Sequence, residues 1–373
     1  MKKKYIIPIY LLLAACSSNE TLPTTDVEPE QSTDVAFSAS ISGGGSTGRA
    51  DDETYKHNQF ILNRSRIRVV NTVNYSTPDF TDVKEGETPE YKEYIYTQKN
   101  ISFDDNKVNF IPYEENGFNW NDIRPTAASF IFEAACYPMA YEYFSEVATD
   151  QSTRDNFWKA DLLLAHHAQP LSQRYDLVKL KFHHVFAMVR VEIDLPISDP
   201  YDAGGFPEDA ITNVELVDML VGYHVDYTSA ITNDGCRDVT ASGNERADIS
   251  MYCLKRDEPT SSGGIRTQHY EFCGIVPVQS IMNKDLVRFT IRTYTDEVNN
   301  DGQPSIDEDK TYIFHPGTEN NPTTIQLSQE FITVLNLSVT HTPQQTILLN
   351  AEIQPWDNAY TEMDMSPVTD TGE

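Results

Sequence analysis

Short stretches in which apolar and polar residues alternate recur along this chain of 373 residues. Successive side chains of a β-strand point to opposite faces, so such a stretch has one face to bury and one to expose. Residues that favour turns, namely Pro, Gly, Asn and Asp, separate the stretches. The pattern predicts strands at 35–41, 67–73, 94–97, 128–137, 177–195, 213–217, 286–294, 311–314, 333–340 and 346–353.

The spacing of these stretches favours an all-β fold built of β-sandwiches over alternating βαβ units. One short helix is predicted at 153–164. Residues 196–210 contain three prolines and two glycines, which predicts a linker. We therefore predict an N-terminal domain at 35–195, a C-terminal domain at 211–356 and a flexible polar tail at 357–373.

The chain begins with three lysines, an apolar run at 5–13 and two alanines before Cys16. The run is too short to span a bilayer, and the whole order resembles the lipobox of a bacterial lipoprotein signal peptide. On this interpretation residues 1–15 are removed, and Cys16 receives lipid with acyl chains such as palmitate. The alternative is an ordinary secretory signal with an incidental cysteine. Residues 16–34, rich in Thr, Pro, Glu and Ser, are predicted to form a disordered tether.

The chain is strongly acidic, with 57 Asp and Glu against 28 Lys and Arg and a net charge of −29. Residues 1–49 hold five acidic and four basic residues, so 52 acidic and 24 basic residues remain and the later part carries −28. A surface of this charge repels nucleic acid and anionic lipid. We expect no nucleic-acid partner.

Besides Cys16 the chain has four cysteines, Cys136, Cys236, Cys253 and Cys273. Export would place them where disulfides can form, and four cysteines allow three pairings. If one bridge forms, we favour Cys253 with Cys273, because both lie in predicted strands joined by a Gly-rich loop. Free buried thiols are the alternative. No Cys-x-x-Cys spacing indicates a zinc or redox site.

Two pairs of adjacent histidines, His166-His167 and His183-His184, are candidate metal ligands. Neighbours in a strand face opposite sides, so neither pair can readily chelate one ion. One histidine from each pair could meet if the two segments pair. The simpler interpretation is that they are structural residues of the sheet.

An acidic segment at 297–308 spaces oxygen ligands like a twelve-residue calcium loop, with Glu297, Asn299, Asp301 and Glu308 as candidates. It departs from that motif by its first residue, by a proline where an apolar residue is usual, and by the absence of predicted flanking helices. The alternative, which we favour, is a solvated hairpin loop between two strands, and we predict no metal site.

No signature of an enzyme occurs: the chain lacks Gly-x-Ser-x-Gly, His-Glu-x-x-His and Gly-x-Gly-x-x-Gly. Its many carboxylates leave a glycosidase-like pair open as an alternative. We predict a protein that is not an enzyme and needs no cofactor.

Several features follow one another in a characteristic order behind the lipobox. They are a lone strand at 35–42, a Gly-rich stretch before Arg49-Ala50, an aromatic strand at 129–138, the segment 178–191, and a final strand ending at Trp356. In this order they resemble the fimbrillin family, the subunits of type V pili on Gram-negative surfaces. The segment 58–63 departs from the family, many of whose members have a tryptophan and a Gly-Asp turn in this region.

The resemblance implies a precursor of two transthyretin-like β-sandwiches that is carried to the outer membrane as a lipoprotein. A trypsin-like surface protease would cut after an arginine, the first strand would leave, and a strand of a neighbouring pilus subunit would replace it. Carried onto this sequence, the cut bond is Arg49–Ala50. The displaced strand presents Val35, Phe37, Ala39 and Ile41.

The residues themselves are compatible with this processing. The apolar side chains of 35–41 alternate with Ala and Ser, so one face can lie in a groove. Arg49 is the only basic residue between Lys4 and Lys56. The alternatives are an anchor or tip subunit that does not polymerise, in which 35–42 is simply the first strand, and a lipid-anchored glycan-binding protein.

Overall fold

The computed structural model describes residues 32–42, 60, 64–72, 80, 91–96, 108–115, 117–137, 145–200, 202–231, 235–299, 302–318, 321–341 and 344–356. Within these residues, no helix is long and apolar enough to cross a membrane.

Strands dominate the described residues, which confirms the predicted all-β class. The first eight strands are β1 Phe37–Ile41, β2 Arg66–Thr72, β3 Lys92–Tyr96, β4 Val108–Pro112, β5 Ser129–Cys136, β6 Leu163–Pro170, β7 Val178–His184 and β8 Ala187–Ile197. The next eight are β9 Ile211–Leu220, β10 Tyr223–Asp226, β11 Asp238–Ala241, β12 Arg246–Ser250, β13 Tyr252–Arg256, β14 Thr260–Ser262, β15 Ile265–Val276 and β16 Gln279–Met282. The last seven are β17 Val287–Val298, β18 Pro304–Phe314, β19 Gly317–Thr318, β20 Asn321–Pro322, β21 Thr324–Leu327, β22 Phe331–His341 and β23 Gln344–Pro355. There is one α-helix in this part of the chain, α1 Arg154–Lys159, with 3₁₀ turns at Tyr113–Glu115 and Leu171–Gln173.

Strands β1 to β7 form one closed barrel in the order β1-β4-β3-β2-β5-β6-β7. Its interior is filled by apolar side chains that alternate along each strand, many of them aromatic. A sandwich was predicted for this part of the chain. A period-two pattern shows only that one face of each strand is buried, and this holds both for two facing sheets and for one sheet that closes on itself.

The second part of the structure contains a six-stranded sheet, β13-β15-β8-β22-β23 with β14 added to β15, and a four-stranded sheet, β12-β9-β17-β18. Buried side chains from both sheets form one shared apolar core. Three two-stranded sheets, β10-β11, β16-β21 and β19-β20, complete the described pairing.

The stretch predicted as one strand at 177–195 is two strands that belong to different sheets. The chain leaves the barrel after β7, and Val185 and Phe186 are both fully buried before β8 enters the six-stranded sheet. Segment 198–210, most of the predicted linker, connects β8 with β9, and its Phe206 is buried in the core between the two larger sheets. The division into two domains with the predicted bounds stays a prediction.

Helix α1 is shorter than the predicted 153–164. It begins after Thr153, whose hydroxyl accepts a hydrogen bond from the Asn156 backbone N–H at 3.3 Å, as an N-cap residue does. It buries Phe157 and Trp158 and ends at Lys159, because Leu163 already starts β6.

A third group of buried apolar residues lies where the outer face of the barrel meets the six-stranded sheet. It combines barrel residues such as Leu164 with Met188, Ile275 and Val334 of that sheet and with Trp356. The barrel is therefore packed onto the rest of the fold by a continuous apolar contact.

Candidate functional site

Strand β1 closes the barrel between β4 and β7. It pairs antiparallel with β4, where Phe37 lies opposite Phe110, and parallel with β7, where Phe37 lies opposite Val178. The other six strands follow one another as β4-β3-β2-β5-β6-β7 without it. Strand β1 thus fills a single gap between two strand edges, which we call the β1 groove.

The four side chains that the sequence assigns to the displaced strand all point into the barrel. Val35 is 2% exposed, Phe37 0%, Ala39 1% and Ile41 6%, and all four belong to the barrel core. Burying side chains of the Val, Phe and Ile type stabilises a fold by about 1.5–3 kcal/mol each. The groove therefore holds its strand largely through this one face.

Phe37 is the centre of an aromatic cluster at the bottom of the β1 groove. Its ring lies edge-on to Tyr94 at 4.7 Å and to Phe132 at 5.4 Å between centroids, and Phe118 follows at 6.4 Å. The Tyr94 hydroxyl accepts a hydrogen bond from the Phe118 backbone N–H at 2.6 Å, and burial raises the pKa of Tyr94. A ring at position 37 completes this cluster.

Residues just before β1 extend the contact beyond the strand. The Val35 N–H donates to the Phe118 carbonyl at 2.9 Å, and the Trp120 N–H donates to the Thr33 carbonyl at 2.7 Å. Asn119 donates from its amide to the Thr33 hydroxyl at 2.9 Å. The segment from Thr33 to Ile41 is thereby paired along almost its whole length.

Three residues of the predicted processing pathway, Cys16, Arg49 and Ala50, lie outside the described residues. The first described range ends at Ser42, one residue after β1, and the Gly-rich segment follows it in the sequence. Lipidation at Cys16 and cleavage at Arg49–Ala50 stay predictions.

The final strand, β23, lies at the end of the six-stranded sheet and pairs with β22, and no described strand is paired with its other edge. Ala351 is exposed, and Ile353 is 61% exposed. The strand ends at Pro355, and the next residue, Trp356, is 1% exposed and stacks on the His184 ring at 4.3 Å. Its N–H donates to the Glu330 carbonyl at 2.8 Å.

In the acidic segment at 297–308, residues 297–298 belong to the end of β17 and residues 304–308 to the start of β18. Val298 pairs with Pro304, and the Asn299 side-chain oxygen accepts a hydrogen bond from the Gln303 N–H at 2.9 Å. Glu308 lies well along β18, away from the turn. Asp301 lies outside the described residues, and whether this segment binds calcium stays a matter of prediction.

The two histidine pairs do not meet, because the pairing of β6 with β7 covers only Leu163 with His184 and Leu164 with His183. Each histidine has its own partner instead. His167 Nε2 lies 2.8 Å from the Gln169 side-chain oxygen, and burial is the main cause that lowers the pKa of His167. His184 Nδ1 lies 2.9 Å from the buried carboxylate of Asp161.

A buried ion pair joins the barrel wall to the segment before β11. The guanidinium of Arg237 donates to the carboxylate of Glu133 on β5, and both side chains are almost fully buried. His166 Nδ1 lies 2.7 Å from the same carboxylate oxygen, and the Arg237 guanidinium also lies over the Tyr227 ring at 5.6 Å. Such a pair is strongly destabilising when one partner alone is removed.

One histidine, His183, comes together with a thiol and a carboxylate that the sequence did not associate with it. Ligand atoms of His183, Cys236 and Glu330 all lie within 4.8 Å of one another. These residues come from β7, from the segment before β11 and from the turn before β22. No sequence spacing signals this convergence, because the three are distant along the chain.

No disulfide joins the four described cysteines, so the alternative of separate thiols holds and the bridge favoured for Cys253 and Cys273 is not formed. In the register of β13 with β15, Cys253 lies opposite Phe272 and Cys273 lies opposite Tyr252. The one-residue offset sends the two thiols to opposite faces of the sheet. Burial raises the pKa of Cys253 to about 11 and that of Cys236 to about 12.

No protein-family model matches the chain, and no curated protein matches it. Among solved structures it is similar to a candidate cell adhesion protein from Bacteroides uniformis, with 14% identity, 87% of this chain and 99% of the other covered, and a TM-score of 0.47. A fimbrial assembly protein from Parabacteroides distasonis has 10% identity, coverage of 86% and 99%, and a TM-score of 0.34. The tip fimbrial protein Mfa3 from Porphyromonas gingivalis has 10% identity, coverage of 87% and 100%, and a TM-score of 0.33.

The first of these structures is a candidate cell adhesion protein and the other two are fimbrial proteins. At such identities and TM-scores, we argue the function of this chain from its own residues.

Proposed function

We propose that this chain is a structural subunit of a cell-surface pilus that polymerises by exchange of strand β1. It would be exported as a lipoprotein through Cys16 and carried to the outer membrane. A trypsin-like surface protease would cut the Arg49–Ala50 bond. The two sheet systems would then act as the two transthyretin-like domains of a pilus subunit with an adhesive role, without cofactor or enzymatic activity.

The observation that carries this proposal is the position of β1 in the barrel. Removal of β1 would leave the other six strands paired side by side in one sheet. The backbone edges of β4 and β7 and the aromatic side chains at the bottom of the groove would then become exposed. Unpaired strand edges that flank an apolar groove are a site for the addition of a strand from another chain. Because β1 comes first along the chain among the barrel strands, one cut on its C-terminal side separates it from the other six, whereas each of the strands β2 to β6 is joined to barrel strands on both sides.

The sequence of β23 offers a matching donor strand. In the segment 35–41, which contains β1, the inward residues are Val35, Phe37, Ala39 and Ile41, each separated by one residue. In β23 the residues Ile347, Leu349, Ala351 and Ile353 repeat this order, with alanine again third. A strand of this pattern places large side chains where Val, Phe and Ile lie now and a methyl group where Ala39 lies.

Strand exchange would also explain why Ile353 is exposed. A large apolar side chain that is 61% exposed near a sheet edge is a liability in a monomer. In a neighbour's β1 groove it would be buried. We propose that the C-terminal strand of one subunit enters the groove of the next.

Limited trypsin digestion of the purified soluble precursor tests the first half of the proposal. We expect cleavage after Arg49, release of the fragment that carries β1, and a ladder of oligomers on size-exclusion chromatography. The variant Arg49→Ala should stay monomeric under the same digestion. A chain that resists cleavage there, or that is cut and stays monomeric with β1 in place, would instead favour an anchor subunit or a glycan-binding surface protein.

A pair of substitutions tests whether β1 itself must leave. Ser40 and Lys181 lie opposite each other in the parallel β1–β7 pair, on the outward face. Neighbouring strands are about 4.8 Å apart, within the Cα range that a disulfide spans. We expect the double variant Ser40→Cys with Lys181→Cys to be cut after Arg49 yet remain monomeric when oxidised, and to polymerise after reduction.

Substitutions in β23 test the donor. Ala351→Leu should not disturb the monomer, because Ala351 is exposed there, but the larger side chain should block entry into the groove at the place of Ala39. Glu352→Gln, on the other face of the same strand, is the matched control and should polymerise normally. Equal polymerisation of both variants would exclude β23 as the donor.

A further inference from the structure

His183, Cys236 and Glu330 bring three different kinds of metal ligand to one place: an imidazole nitrogen, a thiol sulfur and a carboxylate oxygen. All three lie within 4.8 Å of one another. Three such ligands leave one position of a tetrahedral ion open, the arrangement found in zinc sites with three protein ligands. We propose that this cluster binds one divalent transition metal ion of the zinc type.

The three side chains already lie almost as close together as the ligands of one metal ion. His183 Nδ1 lies 2.6 Å from Glu330 Oε1, so the imidazole and the carboxylate already face each other. His183 and Cys236 are buried, whereas the Glu330 side chain is 34% exposed. An ion can therefore reach the cluster from the Glu330 side, and its fourth position faces solvent on that side.

The chemistry of the ligands selects the class of ion. A thiolate with an imidazole suits Zn²⁺ and related transition metals, whereas Ca²⁺ and Mg²⁺ prefer a shell of oxygen atoms. The thiolate and carboxylate carry two negative charges, which match a divalent ion. On binding, the Cys236 thiol proton leaves for solvent, and the imidazole binds through a nitrogen that carries no proton.

An amide next to the cluster is placed to support the sulfur. Gln329 donates from Nε2 to Cys236 Sγ at 2.7 Å and to the Arg237 carbonyl at 2.8 Å. Its side-chain oxygen accepts from the Val239 N–H at 3.4 Å. Groups of this kind orient metal ligands and are part of a built site.

The cluster also lies at a point where three segments of the fold meet. The Glu330 N–H donates to the Phe186 carbonyl at 3.2 Å, and its carbonyl accepts from the Trp356 N–H at 2.8 Å. An ion held by Glu330 would therefore fix the barrel, the segment before β11 and the end of β23 to one another. The expected consequence is stabilisation of the folded chain by zinc.

Metal titration of the full chain carrying Cys16→Ser, which removes the export cysteine, tests the site directly. We expect one equivalent of Zn²⁺ by equilibrium dialysis and elemental analysis. Co²⁺ in its place should give a sulfur-to-cobalt charge-transfer band. Free zinc at about a hundred times its dissociation constant should raise the folded-to-unfolded ratio about a hundredfold.

Two further variants separate this site from the other thiols. Cys236→Ser should lose the charge-transfer band and the stabilisation by zinc, and His183→Gln should weaken both. Cys253→Ser, which removes a half-buried thiol away from the cluster, is the matched control and should retain both. Circular dichroism without metal checks that each variant is folded. A chain that binds no zinc, or whose cobalt band survives Cys236→Ser, would overturn the proposal and leave the cluster as a hydrogen-bonded tie.

Discussion

Truncation of the Phe37 ring tests how β1 is held in its groove. Phe37 is fully buried. The centroid of its ring lies 4.7 Å from that of Tyr94 and 5.4 Å from that of Phe132. Replacing a buried phenylalanine by alanine costs about 3–5 kcal/mol. If β1 opens separately from the rest of the barrel, this whole cost falls on the opening equilibrium of β1. Each 1.36 kcal/mol is a factor of ten, so Phe37→Ala should increase the open population by about two to nearly four powers of ten.

Hydrogen exchange followed by mass spectrometry measures this opening. Amides of β1 exchange through local opening, and their exchange rates report its free energy. We expect exchange in a peptide containing Phe37–Ile41 to accelerate by the factor above in Phe37→Ala. Peptides from β8, Ala187–Ile197, should exchange as in the unchanged chain, because β8 belongs to another sheet.

Ser40→Ala provides the control, because Ser40 lies on the outward face of the same strand and is only half-buried. It should leave exchange in β1 nearly unchanged. Acceleration below about tenfold in Phe37→Ala would show that the aromatic cluster does not hold the strand. An equal acceleration in β1 and β8 would show that β1 opens only with global unfolding, and the reasoning behind strand exchange would fail.

Three other predictions concern stability and can be read from urea unfolding curves. Trp356→Ala should cost about 3–5 kcal/mol, because a fully buried ring that anchors the end of β23 is lost. Glu133→Gln should cost about 3–5 kcal/mol, since it leaves the buried guanidinium of Arg237 without its carboxylate, and replacing both residues by apolar ones of similar size should recover most of the loss. The hydrogen bond with Glu271 raises the pKa of His269 to about 9, so the contribution of this imidazole is complete below about pH 6.5 and is lost as the pH rises through 9. His269→Asn should therefore lose less stability than the unchanged chain between pH 6.5 and 9.5, and a parallel decline of the two would contradict this assignment.

Strands made mostly of buried residues could be predicted closely from the sequence. The prediction at 67–73 corresponds to β2, Arg66–Thr72, and that at 128–137 to β5, Ser129–Cys136. Short strands without an apolar face were missed. Strand β14, Thr260–Ser262, is exposed along its whole length, so nothing in its composition distinguishes it from a loop.

The long prediction at 177–195 shows a different limit. Val185 and Phe186 are buried although they leave the sheet, so the apolar pattern runs on through the break between β7 and β8. The periodicity of apolar residues indicates that a residue is buried, but it does not indicate which sheet the residue belongs to. The cluster of His183, Cys236 and Glu330 could not be predicted from the sequence for a related reason, because it depends on how three distant segments pack.

The connectivity of the barrel gives a physical reason why its first strand, rather than any other, would be the one exchanged in the polymerisation that we propose. Strands β2, β3 and β4 pair as consecutive antiparallel neighbours, and so do β5, β6 and β7, while β2 pairs with β5 to join the two sets. These contacts form between strands joined by short or moderate stretches of chain. The pairing of β1 with β7 is parallel and links residues 37 and 178, and such non-local parallel contacts form late because the loop between them must close first. Six strands can therefore assemble into a sheet that lacks one member, and the last place is filled by whichever suitable strand is present at the highest effective concentration. In the precursor that strand is β1, held near by its own chain. If the segment between β1 and β2 is cut, as we propose, the advantage would pass to a strand of matching pattern on a neighbouring subunit.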